Sequence, residues 1–370
     1  MIVYEDLSKL NAEYVPKGMS SVEASYLSEP LILGPSVKKF EDRFAAHLSV
    51  GIQENVYAVS VGSGYDALFL IFRYLREQQK KRTVFLQSNS YLATVMAALN
   101  AGLVVKFFEI NENSKQPCLN GVEGVTDKNS VICITHMHGR FGEVQEITDY
   151  CDSKGIVLVE DAAQSLGAMI QGRHLGTFGH FSAFSFFPTK PLGGLGDGGA
   201  IICRSSEDAA HFSKMRFYGF GIKNFAEVMG VNSRLDNLNA AFLIQKLRAL
   251  SKIEKKKNKL AAIYRRMLNK EILPPPALQN QIFSNHIFPV YVKKRNYVRR
   301  RLLDSGIQTQ VHYPIPAYRQ PAIKGRIEKF RSRATDIDSL MQLSLPISPI
   351  LSPKQIEFVA EQVLLCLSQS

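Results

Sequence analysis

The sequence lacks several features that would place it in other protein classes. No apolar run in its 370 residues approaches the ~18 needed to span a bilayer, and the first residues do not form a signal peptide. Its five cysteines are odd in number, widely spaced and without a CxxC pair, which favours a reducing compartment and argues against structural zinc. Internal repeats and low-complexity tracts are also missing. We therefore expect a soluble cytoplasmic protein with no metal site.

The composition that is present is typical of a folded chain. Apolar residues make up 45% of the sequence, and at about 150 residues per domain the length predicts two domains, with three as the alternative. The net charge of +12 concentrates in residues 252–259 and 293–301. Such runs are usually solvated helix faces, although they can also attract an anionic small molecule. No known nucleic-acid-binding module accompanies them, so we expect no nucleic-acid partner.

Apolar, β-rich segments alternate with helical patterns over the first two-thirds of the chain. This alternation predicts an α/β fold with a mainly parallel sheet that helices cover on both faces. A helical stripe runs from Val37 to Leu48. The predicted strands are Val56–Val61, Thr83–Gln87, Val104–Ile110, Val131–Thr135, Ile156–Glu160, Phe181–Phe187 and Ala200–Cys203.

After Asn232 the pattern changes. Ser233 and Asp236 resemble a capping box that opens a helix, and the prolines from Pro274 end the helical pattern. We divide the chain into a large domain, residues 1–245, and a smaller C-terminal α/β domain, residues 246–370. The elements predicted for the smaller domain are strands at Ile287–Val292 and Gln308–His312 and helices at Asn296–Asp304 and from Pro353.

Gly62-Ser63-Gly64 stands directly after a predicted strand and directly before a helical pattern. Glycines let the backbone approach a ligand, and a helix N-terminus offers free N–H groups, so a phosphate suits this place. The spacing through Ala67 also fits a dinucleotide fingerprint, but the acidic residue expected about 20 positions on is missing from Val84–Asn89. We favour a single phosphate, with a plain tight turn as the alternative.

Two further candidates follow other predicted strands. Asp161 comes at the end of an apolar strand, where parallel sheets bind ligands, although acidic residues there are also common helix caps. Lys190 follows an aromatic strand and precedes five glycines between Gly193 and Gly199. An amine beside apolar aromatics can have a lowered pKa and attack a carbonyl, although a surface lysine beside a flexible loop is the plainer interpretation.

These three signals occur in the order that pyridoxal 5′-phosphate (PLP) requires. Lys190 would form a Schiff base with its aldehyde, and Asp161 would pair with its pyridinium nitrogen. The helix end at Gly62 and Ser63 would take its phosphate. The combination is far more specific than any one of the three.

Longer motifs extend these signals along nearly the whole chain. They are Leu31–Glu41, Val61–Leu68, Glu160–Ala168, Ser185–Lys190, Gly196–Ala200, Gly230–Asp236, Gly306–Pro316 and Leu343–Pro346. Together they resemble the DegT/DnrJ/StrS family of sugar aminotransferases, which are PLP enzymes of fold type I. The resemblance implies a large PLP-binding domain with a mainly parallel sheet and a smaller C-terminal α/β domain.

The resemblance also implies a role for individual residues. Lys190 bonds to the cofactor and moves the proton between substrate and cofactor, Asp161 binds the ring nitrogen, and Gln164 hydrogen-bonds near the ring hydroxyl. Asn232 reaches the phosphate from the partner subunit, so the site needs a homodimer. The full set expected to bind the cofactor is Gly62, Ser63, Tyr91, Asp161, Gln164, Ser185, Lys190 and Asn232, and Pro35, His312 and Tyr313 are expected to face the substrate.

The expected reaction is transamination of a nucleotide-linked keto-sugar, with glutamate as amino donor and a pyridoxamine form between the half-reactions. Residues 64–68 are most similar to members that aminate C3 of dTDP-3-keto-6-deoxyhexoses. Amination at C4 and a UDP- or GDP-linked substrate stay open. The product is expected to enter lipopolysaccharide O-antigen, another surface glycan or an antibiotic sugar.

Three other functions compete with this one. Dehydratases related to the family have His where Lys190 stands, an NAD oxidoreductase depends on the glycine fingerprint alone, and a polyanion-binding protein depends on the basic runs. None of them accounts for Lys190 together with Asp161. His136 and His138 have metal-ligand spacing without further ligands, His138 replaces an aromatic residue of the family, and His286 suits a structural role as well as a catalytic one.

Overall fold

The computed structural model describes residues 1–12 and 14–369. No helix formed by these residues is both long enough and apolar enough to cross a membrane. The helices are α1 Leu7–Ala12, α2 Val15–Ser28, α3 Pro35–Leu48, α4 Gly64–Glu77, α5 Leu92–Asn100, α6 Leu119–Val122, α7 Val144–Lys154, α8 Ser206–Met215, α9 Asn237–Met267, α10 Arg295–Asp304, α11 Arg333–Met341 and α12 Pro353–Ser368. Short 3₁₀ turns lie at Met137–Gly139, Lys270–Ile272, Ala317–Arg319 and Pro321–Ile323.

Most of the strands are short. The longer strands from the first two-thirds of the chain belong to one sheet. They are β1 Tyr57–Val61, β2 Thr83–Gln87, β3 Val104–Phe108, β4 Ser130–Thr135, β5 Val157–Asp161, β6 Met169–Ile170, β7 Arg173–His174, β8 Phe181–Ser185, β9 Gly199–Cys203, β10 Phe220–Ile222, β11 Phe225–Ala226, β12 Gln281–Ile282, β13 Phe288–Tyr291 and β14 Gln342–Leu345. Each strand predicted before residue 204 is present, with its ends within two residues of the prediction.

The central sheet has seven strands in the order β1-β9-β8-β5-β4-β2-β3. Strand β9 runs antiparallel to both neighbours, and the other pairings are parallel. In β4, Val131 and Cys133 join one buried cluster, whereas Ile132 and Ile134 join another on the opposite face. Both faces of the sheet are therefore buried, which confirms the predicted α/β fold with a mainly parallel, covered sheet.

The C-terminal residues form a separate buried cluster. It contains strands β13 and β14, helices α10 and α12 and the second half of α9, and Ile2 from the N-terminus joins it. Helix α9 is continuous across residues 245 and 246, where the proposed domain boundary lies. A helix that belongs to two clusters ties them to each other.

Two local predictions for this part of the chain are wrong. Residues 308–312 do not form a strand: Gln310 makes one isolated bridge to Ser344, and Pro314, which has no N–H for a ladder, comes two residues after this segment. Ser233 does not cap α9, because Asp236 is the N-cap residue and has no side-chain cap bond. The Ser233 hydroxyl instead donates to Asp66, 167 residues earlier in the chain.

The basic runs are mostly solvated helix faces, as predicted. Lys255, Lys256 and Lys259 on α9 are exposed, and so are Arg299 and Arg300 on α10. Lys257, in the middle of the first run, is the exception. It points inward from α9 and is 9% exposed.

Candidate active site

A cavity of about 420 Å³ lies at the carboxyl edge of the central sheet. Parallel strands end at the same edge, so Asp161 at the end of β5 and Ser185 at the end of β8 both reach this cavity. The N-terminus of α4 and the turn that carries Lys190 border it as well. The sequence-predicted residues that line it are Ser63, Tyr91, Asp161, Gln164, Ser185, Lys190, His312 and Tyr313.

Asp161 is held by hydroxyl groups and a backbone amide. Its Oδ2 accepts hydrogen bonds from Thr94 Oγ1 at 2.6 Å and from Thr135 Oγ1 at 3.4 Å, and its Oδ1 accepts one from the Ala163 N–H at 3.2 Å. The residue is 4% exposed. A buried carboxylate with fixed orientation can pair with a positively charged nitrogen in the cavity.

Lys190 follows β8 in a turn whose backbone closes through a 2.8 Å bond from the Lys190 N–H to the Phe187 carbonyl. Burial lowers the pKa of its amine, and the carboxylates of Asp161 and Glu5 oppose that effect. A lowered pKa increases the fraction of neutral amine, which is the form that attacks a carbonyl or accepts a proton.

The turn before α4 presents backbone donors to the same cavity. Ser63 caps the helix by accepting the Asp66 N–H at 3.0 Å. The N–H groups of Gly64 and Tyr65, in the first turn, have no intrahelical acceptor, and both residues line the cavity. A Cβ on Gly64 would lie 2.8 Å from the Cβ of Ser185, so glycine is needed for this close approach. The geometry suits an anionic group.

Gln164 and two tyrosines form the opposite wall. Gln164 accepts the His138 N–H at 2.6 Å and donates to the Tyr313 hydroxyl at 3.2 Å, so its amide has one orientation. The Tyr313 ring stacks on Tyr91, with 4.6 Å between the ring centroids. Tyr91 is 45% exposed and is therefore not an ordinary core aromatic.

His312 is fixed by the strand beside it. Its Nδ1 lies 2.7 Å from Ser344 Oγ, and its carbonyl accepts a hydrogen bond from His138 Nε2 at 3.1 Å. Burial and the charge of Lys190 lower the pKa of His312 to about 4, so the ring is neutral near pH 7. His312 therefore borders the cavity as a neutral polar group.

Three of the sequence-predicted residues lie outside the cavity lining. Gly62 donates its N–H to Ser233 Oγ at 2.9 Å and supports the turn from behind. Asn232 is exposed. Pro35 is also exposed, as the first residue of α3.

The histidines at 136 and 138 do not face a common centre. His136 Nε2 lies 2.7 Å from Glu160 Oε2 in the core, and burial lowers the pKa of His138 to about 3. His286 lines the cavity, and burial lowers its pKa well below the usual value. Among the described residues, no group of three His, Cys, Asp or Glu side chains is arranged to hold a metal ion.

Comparison with known proteins identifies the family. Residues 15–364 match the model of the DegT/DnrJ/EryC1/StrS aminotransferase family. The chain belongs to this family. It is thus a PLP-dependent aminotransferase of fold type I, as the sequence motifs predicted.

Individual relatives match over almost their whole length. A dTDP-3-amino-3,6-dideoxy-alpha-D-galactopyranose transaminase of Aneurinibacillus thermoaerophilus is 33% identical over 366 residues, which cover 98% of this chain and 99% of that protein. A UDP-2-acetamido-2-deoxy-3-oxo-D-glucuronate aminotransferase of Pseudomonas aeruginosa is 30% identical and covers 97% and 98% of the two chains. The crystal structure of S. venezuelae DesV in complex with a ketimine intermediate superposes with a TM-score of 0.91, at 32% identity and 98% and 97% coverage.

The donors of the cavity fit the cofactor of this aminotransferase family. Ser63, Gly64 and Ser185 stand at one end, where a phosphate suits the helix N-terminus. Asp161 provides the buried carboxylate that a pyridine nitrogen needs, and Lys190 provides the amine. Both ends of the cofactor thus have matching groups.

Sequence reasoning missed two supporting residues of this aminotransferase site. Thr94 donates to Asp161, and Ser233 links Gly62 to Asp66. Thr94 lies three residues after Tyr91 on the helix that begins there, so a helical projection shows it next to the site. Ser233 carries no such signal, because its partners are more than 160 residues away.

Proposed function

We propose that this protein transfers an amino group from glutamate to C3 of a dTDP-linked 3-keto-6-deoxyhexose, in the biosynthesis of an amino sugar for a surface glycan or an antibiotic. The observation that carries this proposal is the presence of Lys190, Asp161 and the α4 N-terminus in one cavity. The names of both relatives described above refer to C3 of a nucleotide-linked sugar, which supports this position over C4.

Different residues of the cavity bind different parts of the cofactor. The N–H groups of Gly64 and Tyr65 and the hydroxyls of Ser63 and Ser185 hold the phosphate. Asp161 keeps a proton on the ring nitrogen, because a buried carboxylate stabilises the adjacent positive charge.

Lys190 holds the cofactor between turnovers and moves the proton. When bound, PLP supplies an aldehyde that accepts the amino group and a ring that withdraws electrons. Lys190 Nζ, once free, would take the proton from the amino-bearing carbon of the donor and deliver it to the cofactor carbon that carries the nitrogen, and in the second half-reaction it would move a proton in the opposite direction. The lowered pKa of Lys190 suits a group that must both accept and release a proton.

The remaining cavity residues orient the substrates. Tyr91 places its ring against the cofactor, and Gln164 hydrogen-bonds near the ring hydroxyl. His312 and Tyr313 face the sugar, and as neutral groups they avoid repelling either glutamate or the anionic nucleotide. Pro35, exposed at the start of α3, contacts the nucleotide-sugar substrate in this proposal.

A homodimer completes the site in this proposal. Apolar side chains are strongly exposed on α2, at Tyr26 and Leu27, and around the β10–β11 hairpin, at Ile222, Phe225 and Met229. Exposed apolar groups of this size mark interaction surfaces. Asn232 follows the hairpin and, in this proposal, reaches the phosphate of the cofactor that the partner subunit binds.

An absorption spectrum tests the cofactor chemistry. The purified protein with added PLP is expected to show a visible band that borohydride abolishes, and Lys190→Ala is expected to lack it. Lys354→Ala, on the exposed face of α12, is the matched control and should keep the band. A wild-type protein without the band would contradict the proposal.

Substrate assays then decide between the carbon atoms and nucleotides. Formation of 2-oxoglutarate from glutamate is measured with dTDP-3-keto, dTDP-4-keto and UDP-3-keto sugars. We expect the highest kcat/KM with the dTDP-3-keto sugar. A preference of tenfold or more for a 4-keto sugar would assign C4 amination instead, at about 1.4 kcal/mol of transition-state stabilisation.

A hybrid dimer tests whether sites are shared. One subunit carries Lys190→Ala and the other Asn232→Ala. If Asn232 serves the partner's site, the hybrid contains one intact site and about half of wild-type activity. If Asn232 serves its own site, both sites are damaged and the hybrid is no more active than the parent variants.

A further inference from the structure

A second cavity of about 50 Å³ lies beside Lys190, and we call it the rear cavity. Thr189, Lys190 and His286 line both the rear cavity and the larger one. Lys190 therefore stands between the two. The proposed mechanism uses the larger cavity only and gives no role to the charged groups behind Lys190.

Helix α9 contributes three charged residues to the rear cavity. Lys246 Nζ donates to the Gly193 carbonyl at 2.7 Å, and Lys257 Nζ donates to the His286 carbonyl at 3.1 Å. Burial lowers the pKa of each lysine to about 8. Glu254 has a buried Oε1 without a hydrogen-bond partner, and burial raises its pKa to about 7. Two buried ammonium groups thus lie beside a carboxyl that is partly neutral.

Glu5 enters the rear cavity from the N-terminal segment. The segment is anchored by bonds from the Ile2 N–H to the Gly306 carbonyl at 2.7 Å and from the Gln308 N–H to the Ile2 carbonyl at 2.9 Å. The Tyr4 N–H also donates to Gln308 Oε1 at 3.3 Å. These bonds fix the backbone on the N-terminal side of Glu5 and thereby hold its side chain at the cavity.

Glu5 lines the same cavity as Lys190, Lys246 and Lys257, so its carboxylate lies in the field of all three lysines. Burial raises the pKa of Glu5, and the charges of Lys257, Lys190 and Lys246 oppose that effect. For Lys190, burial lowers the pKa of the amine, while Asp161 and Glu5 raise it.

The histidines and tyrosines around Lys190 are neutral near pH 7. Burial lowers the pKa of His286 and His312, and burial raises that of Tyr4 and Tyr313. In the proposed function Asp161 is engaged with the ring nitrogen. Of the two rear-cavity carboxyls, Glu254 is partly neutral and Glu5 is the one whose charge acts on Lys190.

We propose that Glu5 is a positioning residue of the active site, whose carboxylate holds the ammonium group of Lys190 from the rear cavity whenever Lys190 is not bonded to the cofactor. This inference rests on the proposed function. During turnover Lys190 carries the proton between two positions, and a fixed counter-charge behind it keeps that proton on Nζ and keeps Nζ within the site.

The segment that anchors the N-terminus also carries residues of the larger cavity. The chain that bonds to Ile2 and Tyr4 continues from Gln308 to His312 and Tyr313, which line the larger cavity. The Tyr4 ring lies 6.0 Å from the His312 ring, measured between centroids. The same short stretch therefore places both the substrate-facing residues and the segment that carries Glu5.

The test measures the protonation of Lys190 directly. Acetic anhydride modifies neutral amines, and mass spectrometry quantifies the Lys190 peptide as a function of pH. The full-length protein is used both without cofactor and loaded with pyridoxamine 5′-phosphate, in which Lys190 is unbonded. We expect the labelling midpoint of Glu5→Gln to lie about one pH unit below that of the wild type.

Two further variants make the result specific. Asp6→Asn removes the same charge from the neighbouring side chain, which does not line the rear cavity, and its midpoint should match the wild type. Glu5→Asp restores the charge and should recover at least half of the shift. Equal midpoints for Glu5→Gln and Asp6→Asn, or no recovery in Glu5→Asp, would overturn the inference. An absent visible band would contradict the proposed function alone, because labelling without cofactor still reports on Glu5.

Discussion

Glu160 and Asp161 are adjacent carboxylates at the end of β5, yet their surroundings differ completely. Glu160 is 0% exposed and accepts hydrogen bonds from the N–H groups of Gly176 and Gly179 at 2.8 and 2.6 Å, with His136 Nε2 at 2.7 Å. Asp161 is held mainly by Thr94 and faces a cavity. Successive residues of a strand point to opposite faces, so one carboxylate belongs to the core and its neighbour to the site.

This difference shows how the fold separates stability from function. The partners of Glu160 lie in the loop before β8 and directly after β4, and they satisfy both of its oxygens within the chain. The carboxylate of Asp161 borders the cavity and can still bind a group that enters from outside the chain. Substitutions at the two positions should therefore affect different properties.

Asp161→Asn is expected to have the larger effect on activity. The amide keeps the size of the side chain: its oxygen can accept the Ala163 N–H while its NH₂ group donates to the Thr94 hydroxyl. It has no charge, however, to stabilise a proton on the ring nitrogen. We expect kcat to fall by about 10²-fold or more, which corresponds to about 2.7 kcal/mol. Steady-state kinetics with glutamate and the keto-sugar measure this loss.

The thermal midpoint of Asp161→Asn should stay close to that of the wild type. Thr94→Val is the companion variant, because it removes the donor at 2.6 Å and leaves the carboxylate in place. Its loss of activity should be smaller, about tenfold or less. If Asp161→Asn retained wild-type turnover, Asp161 would have no part in the chemistry.

The sequence predicted Asp161 and Lys190 because each lies at or soon after the end of a predicted strand, and the parallel pairing of β5 and β8 brings the two strand ends together. It did not predict the position of Ser233 or the inward direction of Lys257. Ser233 fits a local capping pattern, but its hydroxyl bonds to Asp66 instead. No local pattern reveals that contact, because the two residues are far apart in the sequence. Lys257 lies in a run that is otherwise solvated, but its amine lines the rear cavity and donates to the His286 carbonyl, a contact 29 residues away that no local pattern reveals.

Glu160→Gln tests the other side of the comparison. The substitution replaces an acceptor oxygen by an amide that faces N–H donors, and it leaves His136 without its carboxylate. We expect the free energy of unfolding to fall by about 3 kcal/mol while the visible cofactor band persists. Urea denaturation at pH 7 measures the loss.

The pH dependence of this loss has a definite sign. Burial alone would raise the pKa of Glu160, but the bond and charge of His136 and the two backbone N–H groups bring it below 4.5. The stabilisation is therefore complete above pH 4.5 and is lost as the pH falls through the folded-state pKa. The difference between wild type and Glu160→Gln should shrink on acidification. A constant difference would show that the charge of Glu160 does not matter.

Ser233→Ala is expected to have the smallest effect, because Ser233 touches neither carboxylate and acts on the frame of the phosphate turn. The change removes the bond from the Gly62 N–H at 2.9 Å and the bond to Asp66 Oδ2 at 2.7 Å. Each such bond contributes about 1 kcal/mol, so PLP affinity should fall by about three- to tenfold while kcat at saturating PLP is unchanged. Ser153→Ala, an exposed serine on α7, is the control. Wild-type PLP affinity in Ser233→Ala would mean that the turn keeps its shape through Ser63 and Gly64 alone.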